Sequence, residues 1–592
     1  MKKLIYYYRL FYKWVGFKII IYALLVLIAT FIDALGFSMA LPIIEYGGDL
    51  QQISKYSDFV YRGLEYFGIE VSIISLVIFF IMIFVIKTIF KLGQETIGIY
   101  MLYNLLKDLR FDLLERYRKI KYSYFINTEI GYFNNIITTE IHTTISAFRK
   151  YVLLLTRSVM IIVYISFAYI FNPEISILII ISIFTIYFIY KPMVYKIKSL
   201  SKMIVKSNVD FQNGFIQFIL NFKYLKATAN FKNPAKKIRN AINQQYNKGF
   251  KLSFYEILTP ITLELVGMII FAFSVIYLVI IKDQQISAIM VTILFLYRAL
   301  QYVPQFQSTY QAFIAQSASV DILEDARNAM QENIERFEGK VLRNFSTAIA
   351  MKNVSFSFGD KIILSNINLK IPYRSTIGIV GESGSGKTTL VDIITGLLVP
   401  QSGKIEMDGN DYLNISKDSL RRLFGYITQE PIIFNDTILN NITLWSNDGN
   451  DIDTLKKVKQ ACHIANCSDF INETKYSYDS IVGDRGIRLS GGQRQRLSIA
   501  REIYRNTKIT IFDEATSSLD SKSENMIQGS INNLVGKQTM IIITHRLSTV
   551  RNCDYIYIMD NGKVVQEGSW INLMSEEKSL FKKMCLLQGI NN

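Results

Sequence analysis

The chain has 592 residues, a length that excludes a single compact hydrophobic core, and we expect two domains. Its 65 basic and 49 acidic side chains give a formal net charge of +16, so the basic excess needs an explanation. Residues 1 to about 320 hold almost all of the long apolar runs, whereas the remainder has the composition of a soluble α/β protein. The composition therefore predicts a membrane-embedded part followed by a soluble part.

Six apolar segments, each about 20 residues long, could cross a bilayer as helices. The long loops 95–150 and 193–256 are strongly basic, whereas the shorter connections carry little charge. By the positive-inside rule we expect both long loops and both termini in the cytoplasm. Thirteen Lys or Arg residues with a single acid lie between Lys191 and Lys251, and we interpret this run as marking the cytoplasmic side and not a nucleic-acid surface. The predicted spans lie near 18–45, 71–94, 152–171, 174–192, 257–281 and 285–310.

Two further segments flank this first predicted domain, which covers residues 1–320. Between the first two spans, apolar residues at three- and four-residue steps from Ile53 to Phe67 predict a short amphipathic helix at the outer membrane surface. This helix either caps the ends of the spans or contributes to substrate binding. We interpret the polar stretch 321–348 as a linker. Met351 to Phe358 then alternates and predicts an edge strand that opens the second domain, 349–592.

A phosphate-binding loop follows a predicted buried strand from Thr376 to Val380. The sequence from Gly381 to Thr388 matches the pattern G-x-x-x-x-G-K-[ST], in which backbone N–H groups turn toward a phosphate. Lys387 is expected to reach the β- and γ-phosphates of a nucleoside triphosphate, and the Thr388 hydroxyl is expected to coordinate Mg²⁺. The predicted contacts are Gly381, Glu382, Ser383, Gly384, Ser385, Gly386, Lys387, Thr388 and Thr389.

The four cysteines all lie in the soluble part of the chain. Cys462, His463 and Cys467 have the spacing of a partial metal site, but a fourth ligand at suitable spacing is missing. We therefore expect reduced, structural thiols.

A second group of motifs completes a catalytic constellation. Ile509 to Phe512 predicts another buried strand, which ends in Asp513 and Glu514. Asp513 can hold Mg²⁺ and Glu514 can polarise an attacking water. The segment LSGGQ, Leu489 to Gln493, opens a helix whose N-terminus can face a γ-phosphate, and His545 follows a strand from Met540 to Thr544.

Together these motifs resemble the ATP-binding cassette (ABC) family. The resemblance implies that Phe358 stacks on adenine, that Gln429 senses Mg²⁺ and the attacking water, and that His545 is the γ-phosphate switch. It also implies that Ser518, Leu519 and Asp520 cross a dimer interface. In this family two cassettes close head to tail, and each ATP lies between the phosphate loop of one chain and the signature of the other. The signature residues here are Ser490, Gly491, Gly492 and Gln493.

Six spans followed by one cassette is similar to the half-size ABC exporters, and the resemblance covers essentially the whole chain. It implies an all-α six-helix transmembrane domain followed by an α/β P-loop nucleotide-binding domain. The expected assembly is a homodimer with two equivalent sites for ATP and Mg²⁺. The expected location is the bacterial inner (cytoplasmic) membrane, with multiple spans, contact with membrane lipids and the nucleotide-binding domain in the cytoplasm.

A narrower resemblance concerns the cargo. Phe31 to Gly36, Leu41-Pro42, Tyr297-Arg298 and the outer helix are similar to bacterial flippases of lipid-linked oligosaccharides, which move polyprenyl-diphosphate glycans. The alternatives are an exporter of other lipids, lipopeptides or drugs, and an ATP-gated channel or regulator.

Two cations within the predicted spans are candidate substrate ligands. Arg298 lies roughly 20 Å into the sixth span, at 1.5 Å per residue, so we expect it to face a polar cavity or an ion pair. A guanidinium matches phosphate oxygens in a bidentate way, as a diphosphate headgroup requires. Lys87 on the second span is its candidate companion, unless it only reaches toward the inner interface.

Overall fold

The computed structural model describes residues 2–47, 55–277, 280, 286–335, 337–446, 452–515, 520–576 and 579–590. Contacts between residues divide the chain into two units. The first comprises Met1–Ile120 and Tyr124–Ile334, and the second comprises Lys121–Ser123 and Glu335–Asn592.

The described part of the first unit is helical. Four of its helices are 45 to 48 residues long, about 70 Å at 1.5 Å per residue, so they extend well beyond the thickness of a hydrocarbon core. A π-helical turn, Ile136–Glu140, joins two of the helices. The helices are α1 Lys2–Val15, α2 Lys18–Ser38, α3 Ala40–Gly47, α4 Lys55–Tyr66, α5 Ile73–Lys119, α6 Tyr122–Ile126, α7 Ile130–Asn135, α8 Ile141–Phe171, α9 Pro173–Leu220, α10 Phe222–Ala227, α11 Lys232–Ile276 and α12 Ile286–Glu332.

Helix ends in this unit follow local sequence signals. Ser72 caps α5 by accepting a hydrogen bond from the Ser75 backbone N–H, while the Ser75 side chain bonds back to the cap. Pro173 occupies the first turn of α9, where its missing N–H is not needed. Helix α12 continues into the predicted linker as far as Glu332.

Four described segments are long and apolar enough to cross a membrane: Lys18–Tyr46, Ile73–Lys119, Ile130–Phe171 and Lys232–Ile270. The other two predicted spans, 174–192 and 285–310, coincide with α9 and α12, in which some of the side chains lie outside the description. On α5, Ile74 is 72% exposed and Ile78 is 61% exposed within the protein. Such an apolar surface fits a hydrocarbon environment.

The second unit contains two sheets. A mostly parallel six-stranded sheet has the order β10-β9-β3-β8-β7-β6, in which β10 is antiparallel to β9. An antiparallel four-stranded sheet has the order β2-β1-β4-β5. The strands are β1 Ala348–Phe358, β2 Lys361–Pro372, β3 Thr376–Gly381, β4 Ser402–Met407, β5 Asn410–Asp411, β6 Phe424–Ile427, β7 Ile509–Asp513, β8 Thr539–Thr544, β9 Tyr555–Asp560 and β10 Lys563–Gly568.

Helices of the second unit cover both faces of the parallel sheet. On one face, Ile379 and Ile511 lie in a core that includes Leu390 of the helix after the phosphate loop. On the other face, Phe512 lies in a core that includes Leu497 of the helix opened by the signature. The helices are α13 Lys387–Ile394, α14 Lys417–Arg422, α15 Ile438–Thr443, α16 Ile452–Ile464, α17 Ser468–Asn472, α18 Gly491–Tyr504, α19 Ser521–Asn532, α20 Trp570–Ser575 and α21 Leu580–Leu587.

The prediction that Met351 to Phe358 forms an edge strand is wrong. The segment is part of β1, which pairs with β2 on one side and with β4 on the other. Alternation of apolar and polar residues reports that one face of a strand is buried, whereas it carries no information on whether both hydrogen-bonding edges are occupied.

Candidate nucleotide-binding and catalytic site

Three strands bring the predicted motifs to one edge of the parallel sheet. Strand β3 lies between β9 and β8, and β8 lies beside β7. In this register Val380 is opposite Thr544, and Asp513 is opposite Ile543. The phosphate loop, the Asp513-Glu514 pair and His545 therefore follow the carboxyl ends of neighbouring strands, which is where open α/β sheets bind ligands.

The phosphate loop has the geometry of an anion cradle. Gly381 ends β3, and a Cβ at this position would lie 2.3 Å from the Met559 carbonyl oxygen. Gly386 has φ +97°, a conformation that favours glycine, and α13 begins at the next residue. Within the described residues, the buried Oγ of Ser385 has no hydrogen-bond partner, which suits a site for phosphate oxygens. Glu382, Ser383 and Gly384 complete the loop, and Thr388 and Thr389 lie in the first turn of α13.

Lys387 is held across this loop. Its Nζ donates hydrogen bonds to the carbonyl oxygens of Gly381 and Glu382, both at 2.8 Å. Burial lowers the pKa of Lys387, and the negative charges of Glu514 and Asp513 oppose this effect. A buried ammonium at the phosphate loop can bind a polyphosphate.

Glu514 is the centre of the catalytic cluster. The Gln429 side-chain amide donates to its Oε2 at 3.1 Å, and Nδ1 of His545 lies 3.3 Å from the same oxygen. Glu514 has φ +49°, a left-handed conformation that costs energy for a residue with a side chain and is common at functional sites. The structure thus brings together three residues that sequence analysis predicted separately.

The predicted Mg²⁺ ligands all carry oxygen donors. Asp513 ends β7, Thr388 lies in the first turn of α13, and Gln429 follows β6. Carboxylate, hydroxyl and amide oxygens are the ligands that Mg²⁺ prefers, so this donor set fits that cation. Burial raises the pKa of Asp513, while a hydrogen bond from the Tyr426 hydroxyl at 2.9 Å and the charge of Lys387 work in the opposite direction.

Tyr426 was missed by the sequence analysis. It lies three residues before Gln429 in the segment Tyr-Ile-Thr-Gln. Its bond to Asp513 follows from the pairing of β6 with β7, for which the sequence contained no signal.

The signature residues form a separate helix terminus. Ser490 accepts a hydrogen bond from the Gln493 backbone N–H at 3.2 Å, and the Gln493 side chain accepts one from the Ser490 N–H at 2.8 Å. Each side chain therefore bonds to the backbone N–H of the other residue and, among the described hydrogen bonds, neither bonds to the phosphate loop. Gly491 is the first residue of α18, and a Cβ at Gly492 would lie 2.4 Å from the Ser523 hydroxyl. The close approach of α19 requires glycine there.

The remaining predicted nucleotide contacts lie at element ends. Phe358 ends β1, is 38% exposed and packs edge-to-face on Phe356 with ring centroids 4.9 Å apart. Asp520 caps α19 by accepting a hydrogen bond from the Ser523 N–H at 3.0 Å. Ser518 and Leu519 lie outside the described residues.

The two candidate substrate cations have partners inside the first unit. Lys87 forms an ion pair with Asp33, which is 7% exposed and also accepts a hydrogen bond from the Tyr164 hydroxyl. The guanidinium carbon of Arg298 lies 4.5 Å from the centre of the Phe37 ring. A cavity of about 450 Å³ lies between α8, α11 and α12, and its polar lining residues are Arg157, Glu264, Tyr297, Gln301, Gln305 and Ser308.

Comparisons with known proteins identify both units. The family model "ABC transporter" matches residues 364–517, and the family model "ABC transporter transmembrane region" matches residues 19–303. The heterocyst differentiation ATP-binding protein HepA of a Nostoc species is 30% identical over 491 residues, covering 81% of this chain and 78% of that protein. The ATP-dependent lipid A-core flippase of Desulfotalea psychrophila is 40% identical over 281 residues, 48% of each chain.

Two further proteins are similar to different lengths of this chain. The α-hemolysin translocation ATP-binding protein HlyB of Escherichia coli is 41% identical over 283 residues, covering 47% of this chain and 39% of that protein. The match therefore spans about half or less of the flippase and of HlyB. The overall fold is similar to that of a bacterial Atm1-family ABC exporter whose structure was solved with ATP bound, with a TM-score of 0.79. The two sequences are 21% identical, and the match covers 97% of this chain and 98% of that chain.

Proposed function

We propose an ATP-driven transport function for this chain, which belongs to the ABC transporter family and has the half-size exporter's order of a membrane domain followed by an ATP-binding domain. The observation that carries the proposal is the contact of Gln429 and His545 with one carboxylate oxygen of Glu514, beside the phosphate loop. Such a cluster suits water activation next to a bound triphosphate.

The chemistry that this geometry supports is hydrolysis of ATP. Glu514 would polarise the attacking water, and its position is held by the Gln429 amide. Lys387 and His545 would stabilise the negative charge that develops on the γ-phosphate. Thr388, Asp513 and Gln429 would hold Mg²⁺, which neutralises phosphate charge when bound.

We propose that the working form is a homodimer. Ser490 and Gln493 cap the 14-residue helix α18, and each side chain bonds to the backbone N–H of the other residue. Among the described hydrogen bonds, neither side chain bonds to the phosphate loop of the same chain. The positive end of such a helix suits a γ-phosphate. A second copy would supply that phosphate, so that each of two sites combines both chains.

The proposed cargo is an amphipathic, lipid-linked oligosaccharide of the polyprenyl-diphosphate class, moved across the bacterial inner membrane. Two features support it. Helix α4 exposes Phe59 by 76% and Tyr66 by 87%, an apolar surface suited to lipid chains. Arg298, whose guanidinium carbon lies 4.5 Å from the centre of the Phe37 ring, would supply a guanidinium for phosphate oxygens. An exporter of other lipids, lipopeptides or drugs is the alternative.

The experiment is transport in proteoliposomes with a polyprenyl-diphosphate glycan. Arg298→Ala is expected to lower both transport and substrate-stimulated ATP hydrolysis, while basal hydrolysis stays close to that of the parent. Arg298→Lys is expected to recover only part, because a point charge lacks the planar fork. Arg118→Ala is the control, since Arg118 is an exposed cation that pairs with Glu115.

The outcomes separate the alternatives. Normal transport of the glycan by Arg298→Ala would remove this residue from the pathway. Stimulation of hydrolysis by uncharged lipids or cationic drugs, and none by the glycan, would favour the broader exporter. Ion conductance without vanadate-sensitive hydrolysis would instead indicate an ATP-gated channel.

A further inference from the structure

Tyr426 and Asp513 meet because of strand register. Strands β6 and β7 are parallel, and Tyr426 lies opposite Ile511. Side chains two residues apart on a strand point to the same face, so Asp513 shares that face with Ile511 and Tyr426. A tyrosine can reach its diagonal neighbour, and here its hydroxyl donates to Asp513 Oδ2 at 2.9 Å.

The surroundings make this hydrogen bond important for Asp513. The carboxylate of Asp513 is followed directly in the chain by that of Glu514, so two negative charges lie side by side. In the described part of the chain, the Tyr426 hydroxyl is the side-chain donor bonded to Asp513. Gln429 and His545 hold Glu514, whereas Asp513 without the tyrosine hydroxyl would keep only the nearby charge of Lys387 among the interactions described for it.

We infer that Tyr426 is a positioning residue for the cation ligand Asp513, an inference that rests on the proposed ATPase site. Its hydroxyl fixes Oδ2 and thereby directs Oδ1 as the oxygen available to a divalent cation. A hydrogen bond to a ligating carboxylate orients the ligand and tunes its affinity.

A neutral hydrogen-bond donor such as the Tyr426 hydroxyl suits the orientation of Asp513 better than a positively charged side chain does. An arginine or lysine at position 426 would place a full positive charge against Asp513 and would compete with the metal for the carboxylate. The tyrosine hydroxyl orients the carboxylate and leaves its negative charge for the cation. Tyr426 is also held in place, because it packs against the core formed by β3, β7, β8 and α13.

The test uses the full-length protein in detergent and the variant Tyr426→Phe, which removes only the hydroxyl. ATP hydrolysis is titrated with Mg²⁺, and binding of Mn²⁺ in the presence of a non-hydrolysable ATP analogue is measured separately by electron paramagnetic resonance. We expect the half-saturating Mg²⁺ concentration and the Mn²⁺ dissociation constant to rise by about tenfold. The turnover rate at saturating Mg²⁺ and the affinity for the nucleotide in EDTA are expected to stay within about twofold of the parent values, as for an interaction that acts through the metal ligand.

The matched control is Tyr412→Phe. The Tyr412 hydroxyl is also buried, but it donates to the backbone oxygen of Ile394 at 3.0 Å and not to a predicted cation ligand. Tyr412→Phe is expected to leave the metal titrations unchanged. Tyr426→His, which restores a donor, is expected to lower the Mg²⁺ and Mn²⁺ constants relative to Tyr426→Phe. Tyr426→Met, which also lacks a donor, replaces Tyr426→Phe if that variant does not yield folded protein.

The inference would be overturned if the half-saturating Mg²⁺ concentration and the Mn²⁺ dissociation constant of Tyr426→Phe stay within twofold of the parent values. It would also be overturned if Tyr412→Phe raises these two constants equally. A lower turnover rate of Tyr426→Phe with unchanged Mg²⁺ and Mn²⁺ constants would also overturn the inference, because that result would assign Tyr426 to packing alone. Failure of the proposed function looks different, since the parent protein itself would then lack Mg²⁺-dependent ATP hydrolysis.

Discussion

The side-chain amide of Gln429 donates a hydrogen bond to Oε2 of Glu514, 3.1 Å away. His545 Nδ1 approaches the same oxygen at 3.3 Å. The three residues follow the ends of β6, β7 and β8, neighbouring strands of one sheet. A single carboxylate oxygen therefore links the residue proposed to sense the cation, the proposed base and the proposed γ-phosphate switch.

Glu514→Gln is expected to abolish most hydrolysis and keep ATP binding. The amide has the same length but cannot polarise water as a carboxylate does, while Lys387 and Thr388 still hold the phosphates. The turnover rate should fall by about 10²–10⁴-fold, the range for loss of a general base. Turnover and retention of radiolabelled ATP by the purified protein are the measurements. Turnover close to that of the parent in detergent would contradict the assignment of Glu514.

His545→Ala is expected to reduce turnover by about 10²–10³-fold, as for loss of one group that stabilises the negative charge developing on the γ-phosphate. The affinity for ATP should change little, because the phosphate loop is intact. His463→Ala is the matched control, since His463 lies at the end of α16, outside the catalytic cluster. Turnover of both variants is measured at saturating ATP and Mg²⁺, and equal values for the two would argue against a role for His545.

Mixed dimers test the proposal that each ATP site combines residues of two chains. Ser490→Arg should abolish hydrolysis although Lys387 is untouched, because the larger cation replaces the cap of α18. Mixing this chain with Lys387→Ala chains should restore part of the activity, since one of the two sites in such a heterodimer then carries neither change. Differently tagged chains allow the heterodimer to be purified and assayed. Inactive heterodimers would mean that the head-to-tail geometry is wrong or that hydrolysis needs both sites.

We expect the contributions of Lys87 and Asp33 to the stability of the protein to depend strongly on each other. Removing one partner leaves a charge within the membrane domain, which costs about 3–5 kcal/mol for a buried pair. Lys87→Met and Asp33→Asn should each lower the melting temperature of the detergent-solubilised protein, and the double variant should lose less than the sum of the two. Arg118→Met is the control, because Arg118 is largely exposed. Additive losses would contradict the coupling.

The cysteines should not react in the native protein. All four thiols are buried, and burial raises the pKa of Cys553 to about 12. The thiolate is the reactive form, and for Cys553 it becomes abundant only as the pH rises toward that value. Titration with a thiol-reactive disulfide reagent at pH 8 should label none of the four before unfolding and all four in denaturant. Rapid labelling of the native protein would contradict this burial.

The sequence by itself determined the features whose chemistry is contiguous along the chain. A phosphate is bound by successive backbone N–H groups, so the segment from Gly381 to Thr388 is sufficient to predict the loop and the helix after it. The same holds for the segment from Leu489 to Gln493, which predicted a helix start where α18 begins. Apolar length predicts membrane helices for a similar reason, since the hydrocarbon thickness sets the number of residues.

Only the tertiary structure decided which distant residues meet. The contact of Gln429 with Glu514 and the bond of Tyr426 to Asp513 depend on β6 lying beside β7 in one particular register. The pairing of Lys87 with Asp33 depends on the packing of α2 against α5, and the central place of β1 depends on strand order. Periodicity specifies which face of an element is buried, whereas the neighbour on that face is selected by packing of the whole domain, and this is why these partners were not predicted.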